Sequence, residues 1–345
     1  MFRIACKTTS VLAQASRSRA AFSTQVTASM VKELRDKSGA PMMDCKKALS
    51  AEGVNGDIKL AMDWLRAKGI ARAASNADRV TMEGLIAVNK HENGAVTVLE
   101  VNSETDFVSM NKDFQAFVVR VSETIRESSN QPGPVPVEEL MKKNVANGTG
   151  TLQDALGDII SSIRENIVIK RAENIYPETS EDGDVVGVVA SYVHGKVAVD
   201  AMPANIELGK IAGIVKLQAA GADVAMSSAS ISTLLAGDVG RKIGMHVVAA
   251  SPLYLQPSEV PADIVERETA ISREQTVDPK KKPEMIEKIV AAKVAKRLGE
   301  LCLISQAHVA VEGAPVIQKY LETLTSGDVK VSLSGFQRWT LGQQQ

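Results

Sequence analysis

A strand that turns directly into a helix constrains the fold of this chain more than any other part of its sequence. Residues 95–101 alternate in the manner of a strand, and Asn93-Gly94 before them is a strong turn signal, so residues 82–101 predict a β-hairpin. The polar run after the hairpin is predicted to be a strand-to-helix corner. Apolar residues then recur at helical spacing, at Met110, Phe114, Phe117, Val118, Val121 and Ile125.

The corner is the polar run between these two patterns, Ser103-Glu104-Thr105-Asp106-Phe107-Val108. Thr105 and Asp106 are the candidate N-caps for a helix that reaches about Glu127. Phe107 has two interpretations: it extends the apolar core stripe of that helix, or it projects with Asp106 from a rigid corner into a partner. Helical spacing alone favours the core, because capping patterns are common and functional corners are rare.

Residues 1–25 differ in composition from the rest of the chain. They carry four basic residues and no acidic residue, and Ser, Thr and Ala fill most of the remainder. This composition is typical of an organellar transit peptide, and the segment lacks the continuous apolar core of a secretory signal. Residues 19–23 also resemble a matrix-protease cleavage site.

Charge and cysteine content narrow the classes of partner. Without residues 1–25 the formal net charge changes from −1 to −5, because four positive charges are lost. An acidic protein of this size is a poor candidate for binding nucleic acid through phosphates, so a protein or a small molecule is expected instead. No apolar run is long enough to span a bilayer. The distant Cys6, Cys45 and Cys302 argue against a disulfide framework or a zinc cluster and fit small buried side chains.

Helical and strand patterns divide the remainder of the chain. Residues 27–69 predict three short helices that end at Gly39, Gly53 and Gly69, followed by a small, polar linker at residues 71–79. The further predictions are a helix containing residues 152–163, strands at 167–175 and 329–339, a hairpin at 185–202, a helix at about 206–220 and two charged helices within 261–299.

The sequence lacks the motifs that would mark an active site. It contains neither a Gly-x-x-x-x-Gly-Lys-Ser/Thr phosphate loop, nor a Gly-x-Gly-x-x-Gly run after a strand, nor a Gly-x-Ser-x-Gly elbow. Its four histidines show no metal-ligand spacing. We therefore expect no cofactor, no metal and no catalytic residue.

Three motifs resemble those of translation elongation factor Ts. Residues 31–49, which include Ser38-Gly39-Ala40-x-Met42-Met43-Asp44-Cys45, resemble the N-terminal signature of that family. Leu99-Glu100-Val101-Asn102 leading into Thr105-Asp106-Phe107-Val108 resembles its second signature, and residues 245–252 resemble a third. The match runs in order from about residue 26 to the end of the sequence.

The resemblance implies an α+β protein made of several parts. Residues 26–75 would form a ubiquitin-associated-like three-helix bundle, after a mitochondrial transit peptide at 1–25. Residues 76–182 and 183–345 would form two α/β subdomains with small antiparallel sheets, and the second would include a protruding helical hairpin at 261–299.

The resemblance also implies a guanine-nucleotide exchange factor for mitochondrial elongation factor Tu, acting in the matrix without binding nucleotide, nucleic acid or membrane itself. Its partner-binding residues would be Thr105, Asp106, Phe107 and Val108 near the Mg²⁺ site of the GTPase, together with His246, Arg35, Met42 and Met43. Phe107 would wedge between partner side chains and Asp106 would help to displace Mg²⁺. In this context the exposed wedge is favoured over the core interpretation.

Two other classes of function stay open. The three-helix bundle alone fits a ubiquitin-binding adaptor, which would leave the motifs of the core without a role. An unrecognised hydrolase would show turnover without a partner protein.

The composition of the N-terminus yields a direct prediction. Import into the organelle should remove roughly the first 20 to 30 residues, because this segment is basic, free of acid and unlike the remainder of the chain. N-terminal sequencing of the protein purified from its native organelle checks this, and a mature chain that still begins at Met1 would contradict it.

Overall fold

The structure is a computed structural model that describes eight stretches of the chain. These are residues 26–76, 79–146, 148–180, 185–198, 203–221, 230–276, 283–325 and 328–343. The predicted transit peptide lies outside them. The fold is α+β with two antiparallel sheets, as predicted, and it divides into two compact units between Leu65 and Arg66.

Three helices make up the first unit: α1 (Ala28–Ser38), α2 (Met42–Leu49) and the first part of α3 (Ile58–Asn76). Thr27 caps α1 by accepting a hydrogen bond from the Met30 amide, and Gly39 ends it with a positive φ of 65°. Small and branched side chains form the core between the helices: Val31, Leu34, Cys45, Ala48, Leu49, Ala61 and Leu65. The three-helix bundle is confirmed, and its likeness to a ubiquitin-associated fold stays a prediction.

The predicted end of α3 at Gly69 is wrong, because the helix continues to Asn76. Gly69 serves close packing instead, since a Cβ atom there would lie 2.6 Å from the Gly157 carbonyl oxygen. The Ala-rich stretch after Gly69 has strong helix propensity, which explains why the predicted linker is largely helical.

The first sheet of the second unit has the strand order β3-β4-β2-β1-β6 and is antiparallel throughout. Its strands are β1 (Glu83–Lys90), β2 (Val96–Ser103), β3 (Gly133–Pro134), β4 (Ile167–Ile175) and β6 (Ile206–Gly209). The predicted hairpin is confirmed, with Glu83 opposite Ser103 and Lys90 opposite Val96. Strand β6 comes from far along the chain and completes the sheet beside β1.

The second sheet has the order β5-β7-β8, formed by β5 (Val185–His194), β7 (Ile211–Ala220) and β8 (Lys330–Thr340). Two predictions were wrong here, because residues 206–220 form strands β6 and β7 rather than a helix, and β5 pairs with β7 rather than within residues 185–202. The apolar residues of β7 are buried on both faces, which removes the alternation that would have marked a strand.

Further helices lie in the second unit, and some of them cover the outer faces of the two sheets. In chain order these further helices are α4 (Lys112–Ser128), α5 (Val137–Leu140), α6 (Leu152–Ile163), α7 (Gly240–Ala250), α8 (Ala262–Glu274), α9 (Pro283–Leu301) and α10 (Ile317–Thr323). Helices α4 and α6 share one core with the first sheet, and α7 and α10 share another with the second. A third core lies between the sheets, where Ile86, Val98 and Trp339 meet. The order of layers is therefore helix, sheet, sheet, helix.

Helices α8 and α9 form the predicted antiparallel hairpin. Val290 and Val294 are buried, whereas the salt bridge between Arg273 and Glu287 bridges the two helices at an exposed position. The predicted charged faces are therefore largely solvated, as their sequence pattern suggested.

A buried ion pair within the first sheet also contacts the last strand of the second sheet and the residues after it. The Glu100 carboxylate on β2 is fully buried and accepts a 2.7 Å hydrogen bond from Nε of Arg171 on β4. The Arg171 guanidinium lies 4.2 Å from the centroid of the Trp339 ring on β8, a favourable cation–π distance. The second carboxylate oxygen of Glu100 accepts a 3.0 Å hydrogen bond from the backbone amide of Gly342. The Glu100 carboxylate thus connects β2 and β4 of the first sheet to the residues that directly follow β8 of the second sheet.

This network predicts a large loss of stability when one partner is removed. Glu100→Ala should lower the free energy of unfolding by about 3–5 kcal/mol, because it leaves the Arg171 side chain, which is only 18% exposed, without its partner. The matched control is Glu287→Ala, which breaks the exposed pair with Arg273 and should cost about 0.2–1 kcal/mol. Urea denaturation measures the free energy of unfolding of both variants. Equal losses of stability would contradict the prediction.

Candidate partner-binding site

The strand-to-helix corner forms a short 3-10 helix, Asp106–Met110, between β2 and α4. Val108 is buried and anchors the turn, while Phe107 is 78% exposed and Met110 is 74% exposed. Phe114, one turn later, is fully buried in the core. The interpretation of Phe107 as part of the core stripe is therefore wrong, and the same holds for Met110.

The predicted cap of the long helix is also wrong. Helix α4 begins at Lys112, and its N-cap is Asn111, whose side chain accepts hydrogen bonds from the amides of Asp113 and Phe114 at 2.8 and 3.3 Å. Thr105 precedes the 3-10 helix but makes no side-chain cap bond to it, and Asp106 is exposed. Asp106 and Phe107 therefore lie on a separate turn, outside the helix to which spacing had assigned them.

Hydrogen bonds hold the backbone of this turn on both sides of Asp106. Ser103 Oγ donates to the Thr105 carbonyl at 2.9 Å, and Ser109 Oγ donates to the Asp106 carbonyl at 2.6 Å. The Gln115 side chain in α4 then donates to the Ser109 carbonyl at 2.9 Å. The exposed Phe107 ring is thus carried on a backbone whose carbonyls before and after it accept side-chain hydrogen bonds.

Two carboxylates bridge the corner to the turn between α6 and β4. Glu165 accepts hydrogen bonds from the amide and the hydroxyl of Thr105, at 2.9 and 2.7 Å. Glu104 accepts from the amide of Asn166 at 2.6 Å. Sequence patterns did not reveal Glu165, since 60 positions separate it from Thr105 and no local signal connects the two.

The predicted contact residues of the first unit lie on its surface. Met42 and Met43 occupy the start of α2 and are 55% and 59% exposed, so they are not part of the bundle core. Arg35 in α1 is exposed as well. The sequence had left open whether the two methionines were core or contact residues, and their exposure favours contact.

His246 differs from the other predicted contact residues because it is only 1% exposed. In α7, its Nε2 lies 2.8 Å from the Gln306 side-chain oxygen, and its Nδ1 accepts a hydrogen bond from the Val309 amide at 3.2 Å. Burial lowers the pKa of His246, although the bond to Gln306 opposes that shift. The role of His246 as a direct surface contact is therefore not supported, and the side chain instead holds the loop that carries the exposed Val309.

A second buried histidine lies against the first. The rings of His246 and His308 are 5.5 Å apart, and Tyr320 packs edge-on to His308 at 5.2 Å. His308 Nδ1 accepts from the Ala310 amide. Burial first, and then the neighbouring His246 and Lys242, lower the pKa of His308 to about 4.

Other kinds of site find little support in the described part of the chain. Among the described residues, no group of three or more His, Cys, Asp or Glu side chains is arranged to hold a metal ion. Within those stretches, no helix is both long and apolar enough to cross a membrane. Cys45 and Cys302 are free thiols in buried positions, and burial raises the pKa of each.

An exposed, rigidly held aromatic side chain is a feature of surfaces that bind a macromolecular partner, because aromatic residues are enriched among those that carry most of the binding energy. Comparison with known proteins identifies the family within this class of partner-binding proteins. Residues 104–343 match the family model described as Elongation factor TS. The chain belongs to the elongation factor Ts family and is a translation elongation factor, not a catalytic enzyme.

Individual relatives agree along most of the chain. Elongation factor Ts of Caulobacter vibrioides is 38% identical over 322 residues, covering 92% of this chain and 93% of the relative. The proteins of the same name from Methylorubrum populi and Paramagnetospirillum magneticum are 38% and 39% identical, again over 92% of this chain. These three relatives are bacterial.

The buried His308 generates a prediction about pH. Its folded-state pKa of about 4 lies below the ordinary value of 6.5, so the unfolded chain binds a proton in this window that the folded chain does not. Stability should therefore fall by up to about 3 kcal/mol as the pH drops from 6.5 to 4, with no contribution from this residue above that window.

His308→Asn should remove this part of the pH dependence, because an Asn oxygen can still accept the Ala310 amide bond but does not titrate. Urea denaturation of both proteins between pH 7.5 and 4.5 measures the difference. Curves of stability against pH that run parallel would contradict the assignment.

Proposed function

We propose that this chain is the guanine-nucleotide exchange factor of mitochondrial elongation factor Tu. The observation that carries the proposal is the exposed Phe107 on its fixed corner, within the stretch that matches the elongation factor Ts family model. The mitochondrial assignment rests on the composition of residues 1–25, which is basic and free of acidic residues.

The mechanism requires no active site in this chain. A GTPase of this kind holds its nucleotide largely through Mg²⁺ and backbone groups around the phosphates. A factor that binds the nucleotide-free GTPase more tightly than the GDP-bound form must weaken GDP binding by the same factor, because the coupling is reciprocal. GDP then dissociates, and GTP displaces the factor in turn.

Within this mechanism the corner acts on the Mg²⁺ site of the partner. Phe107 inserts between partner side chains, and Asp106 lies beside it and helps to displace the ion. Val108 and Thr105 hold the turn from the inside, since Val108 is buried and Thr105 is bound to Glu165. A ring that is already fixed in an exposed position loses little conformational entropy on binding, so more of its contact energy is available to disturb the Mg²⁺ site.

The bundle adds affinity at a second surface. Met42 and Met43 are both exposed on the first turn of α2, and unbranched, polarizable methionine side chains adapt well to a partner surface. Arg35 on α1 supplies a charged group that is also exposed.

Release of labelled GDP from purified mitochondrial elongation factor Tu tests the proposal. The wild-type protein should accelerate release at fixed Mg²⁺ concentration, and Phe107→Ala should lower the stimulated rate by at least about tenfold, as loss of a central aromatic contact does. Asp106→Ala should act in the same direction. A wild-type protein without effect on GDP release would overturn the proposal.

Thermal melting of the same variants separates contact from stability. Phe107→Ala and Asp106→Ala should change stability by no more than about 0.5 kcal/mol, because both side chains are exposed. Phe114→Ala is the matched control, since its ring is fully buried and its loss should cost about 3–5 kcal/mol. A Phe107→Ala protein that melts early but exchanges normally when folded would remove Phe107 from the mechanism.

A further inference from the structure

The corner is tied to the turn between α6 and β4 by a reciprocal pair of carboxylates. Glu104, in the corner, accepts from the backbone amide of Asn166, and Glu165, in the turn, accepts from the backbone amide of Thr105. Each segment therefore supplies an acceptor for an amide of the other. Hydrogen bonds to an ionised carboxylate are shorter and about twice as strong as neutral ones.

Glu165 uses both of its oxygens on one residue. One oxygen accepts the Thr105 amide at 2.9 Å and the other accepts the Thr105 hydroxyl at 2.7 Å. The Thr105 hydroxyl is therefore oriented toward Glu165, and it makes no cap bond to the adjoining 3-10 helix. The hydroxyl was expected to serve the local helix and instead fixes the corner to a distant part of the chain.

The backbone at the end of α6 brings Glu165 into place. Arg164 adopts a left-handed conformation with φ of 70°, and its amide bonds to the Ile160 carbonyl, which ends the helix in the same way as the common glycine cap. The chain reverses there, and Glu165 and Asn166 precede β4 directly. Asn166 also donates from its side chain to the Arg79 carbonyl, and Arg79 pairs with Glu104 at 3.2 Å. Three separate segments thus meet at the start of the corner.

We propose that Glu165 is a positioning residue for the exchange reaction, which acts through Thr105 to hold Phe107 in the orientation that the GTPase partner receives. The inference rests on the proposed function and deepens it. Glu165 contacts Thr105, two positions before Phe107, and is not itself proposed to contact the partner. Its contribution is the fixed geometry of the corner before binding, which spares the entropy of ordering it during binding.

Two variants weaken the pair of hydrogen bonds between Glu165 and Thr105, which we call the clamp, to different degrees. Glu165→Gln keeps the shape of the side chain and can still accept from the Thr105 amide and donate to the Thr105 hydroxyl oxygen, but both bonds lose the strength that the ionised carboxylate gives them. Glu165→Ala removes both bonds. The stimulated rate of GDP release should fall about 10- to 100-fold in Glu165→Ala, the scale of loss when a reacting contact is displaced by about 1 Å, and less in Glu165→Gln.

Glu138→Gln is the matched control. Glu138 is an exposed carboxylate on α5, so this substitution makes the same change of charge on the same unit outside the clamp. Its rate of stimulated GDP release should equal that of the wild type. A fall equal to that of Glu165→Gln would reduce the effect to net charge and overturn the proposal.

A double-mutant cycle with Phe107→Ala distinguishes positioning from general destabilisation. If Glu165 acts through the corner, Glu165→Ala should have little further effect once the Phe107 ring is gone. Additive losses in the double variant would overturn the proposal. Circular dichroism at the assay temperature ensures that all variants are compared in the folded state.

Hydrogen exchange supplies a readout that does not depend on activity. The Thr105 amide should exchange slowly in the wild type and at least about tenfold faster in Glu165→Ala, because the carboxylate that accepts it would be lost, whereas amides in the centre of β2 should keep their protection. A wild-type protein that does not accelerate GDP release from the GTPase partner would count against the proposed function alone. Normal release by a Glu165→Ala protein, or an unchanged Thr105 amide, would count against the clamp alone.

Discussion

The buried ion pair between Glu100 and Arg171 is the constraint on which the core of this protein depends. It lies where the two sheets face one another, and removing one member of a buried pair is strongly destabilising because the other charge is left without its partner. Trp339 and Gly342 complete that environment from the last strand and the residues after it. The sheets are consequently joined by polar contacts as well as by the apolar core between them, since Gln337 on β8 also donates to Glu173 on β4.

The site depends on the same strand. Strand β2 carries Glu100 in its middle and ends at Ser103, and the corner with Phe107 begins directly afterwards. The rigid end of a strand that is paired on both sides is a good support for an exposed contact residue, because the strand cannot shift without breaking the pairing with β1 and β4. Stability of the core and exposure of the ring are therefore linked through a few residues of one element.

Local sequence patterns predicted several helices and strands correctly, and they failed where the burial or the contacts of a residue depend on distant parts of the chain. The β1–β2 hairpin, α6, β4 and β8 were predictable from alternation and helical spacing, and the family resemblance directed attention to Phe107. Spacing alone would have buried Phe107 and Met110, since apolar residues one turn before a core stripe look like its continuation. Strand β7 was mistaken for a helix because burial on both faces removes the alternation. The burial of His246 and the bond from Thr105 to Glu165 depend on residues about 60 positions away, which a single sequence does not connect.

Strand β6 has a consequence for how the chain acquires its structure. The first sheet needs residues 206–209 beside β1, and Glu100 meets its last hydrogen-bond donor 242 positions further along. Contacts of such long separation form late, because the intervening chain must be closed into a loop first. During synthesis from the N-terminus, the edge of β1 would stay unpaired until β6 arrives, and Glu100, although Arg171 is already available to it, would lack the Gly342 amide. An unpaired strand edge is a template for association with other chains. Incomplete chains that end before β6 would thus be substrates for chaperones and proteases, and the order in which the chain emerges sets how long that exposure lasts.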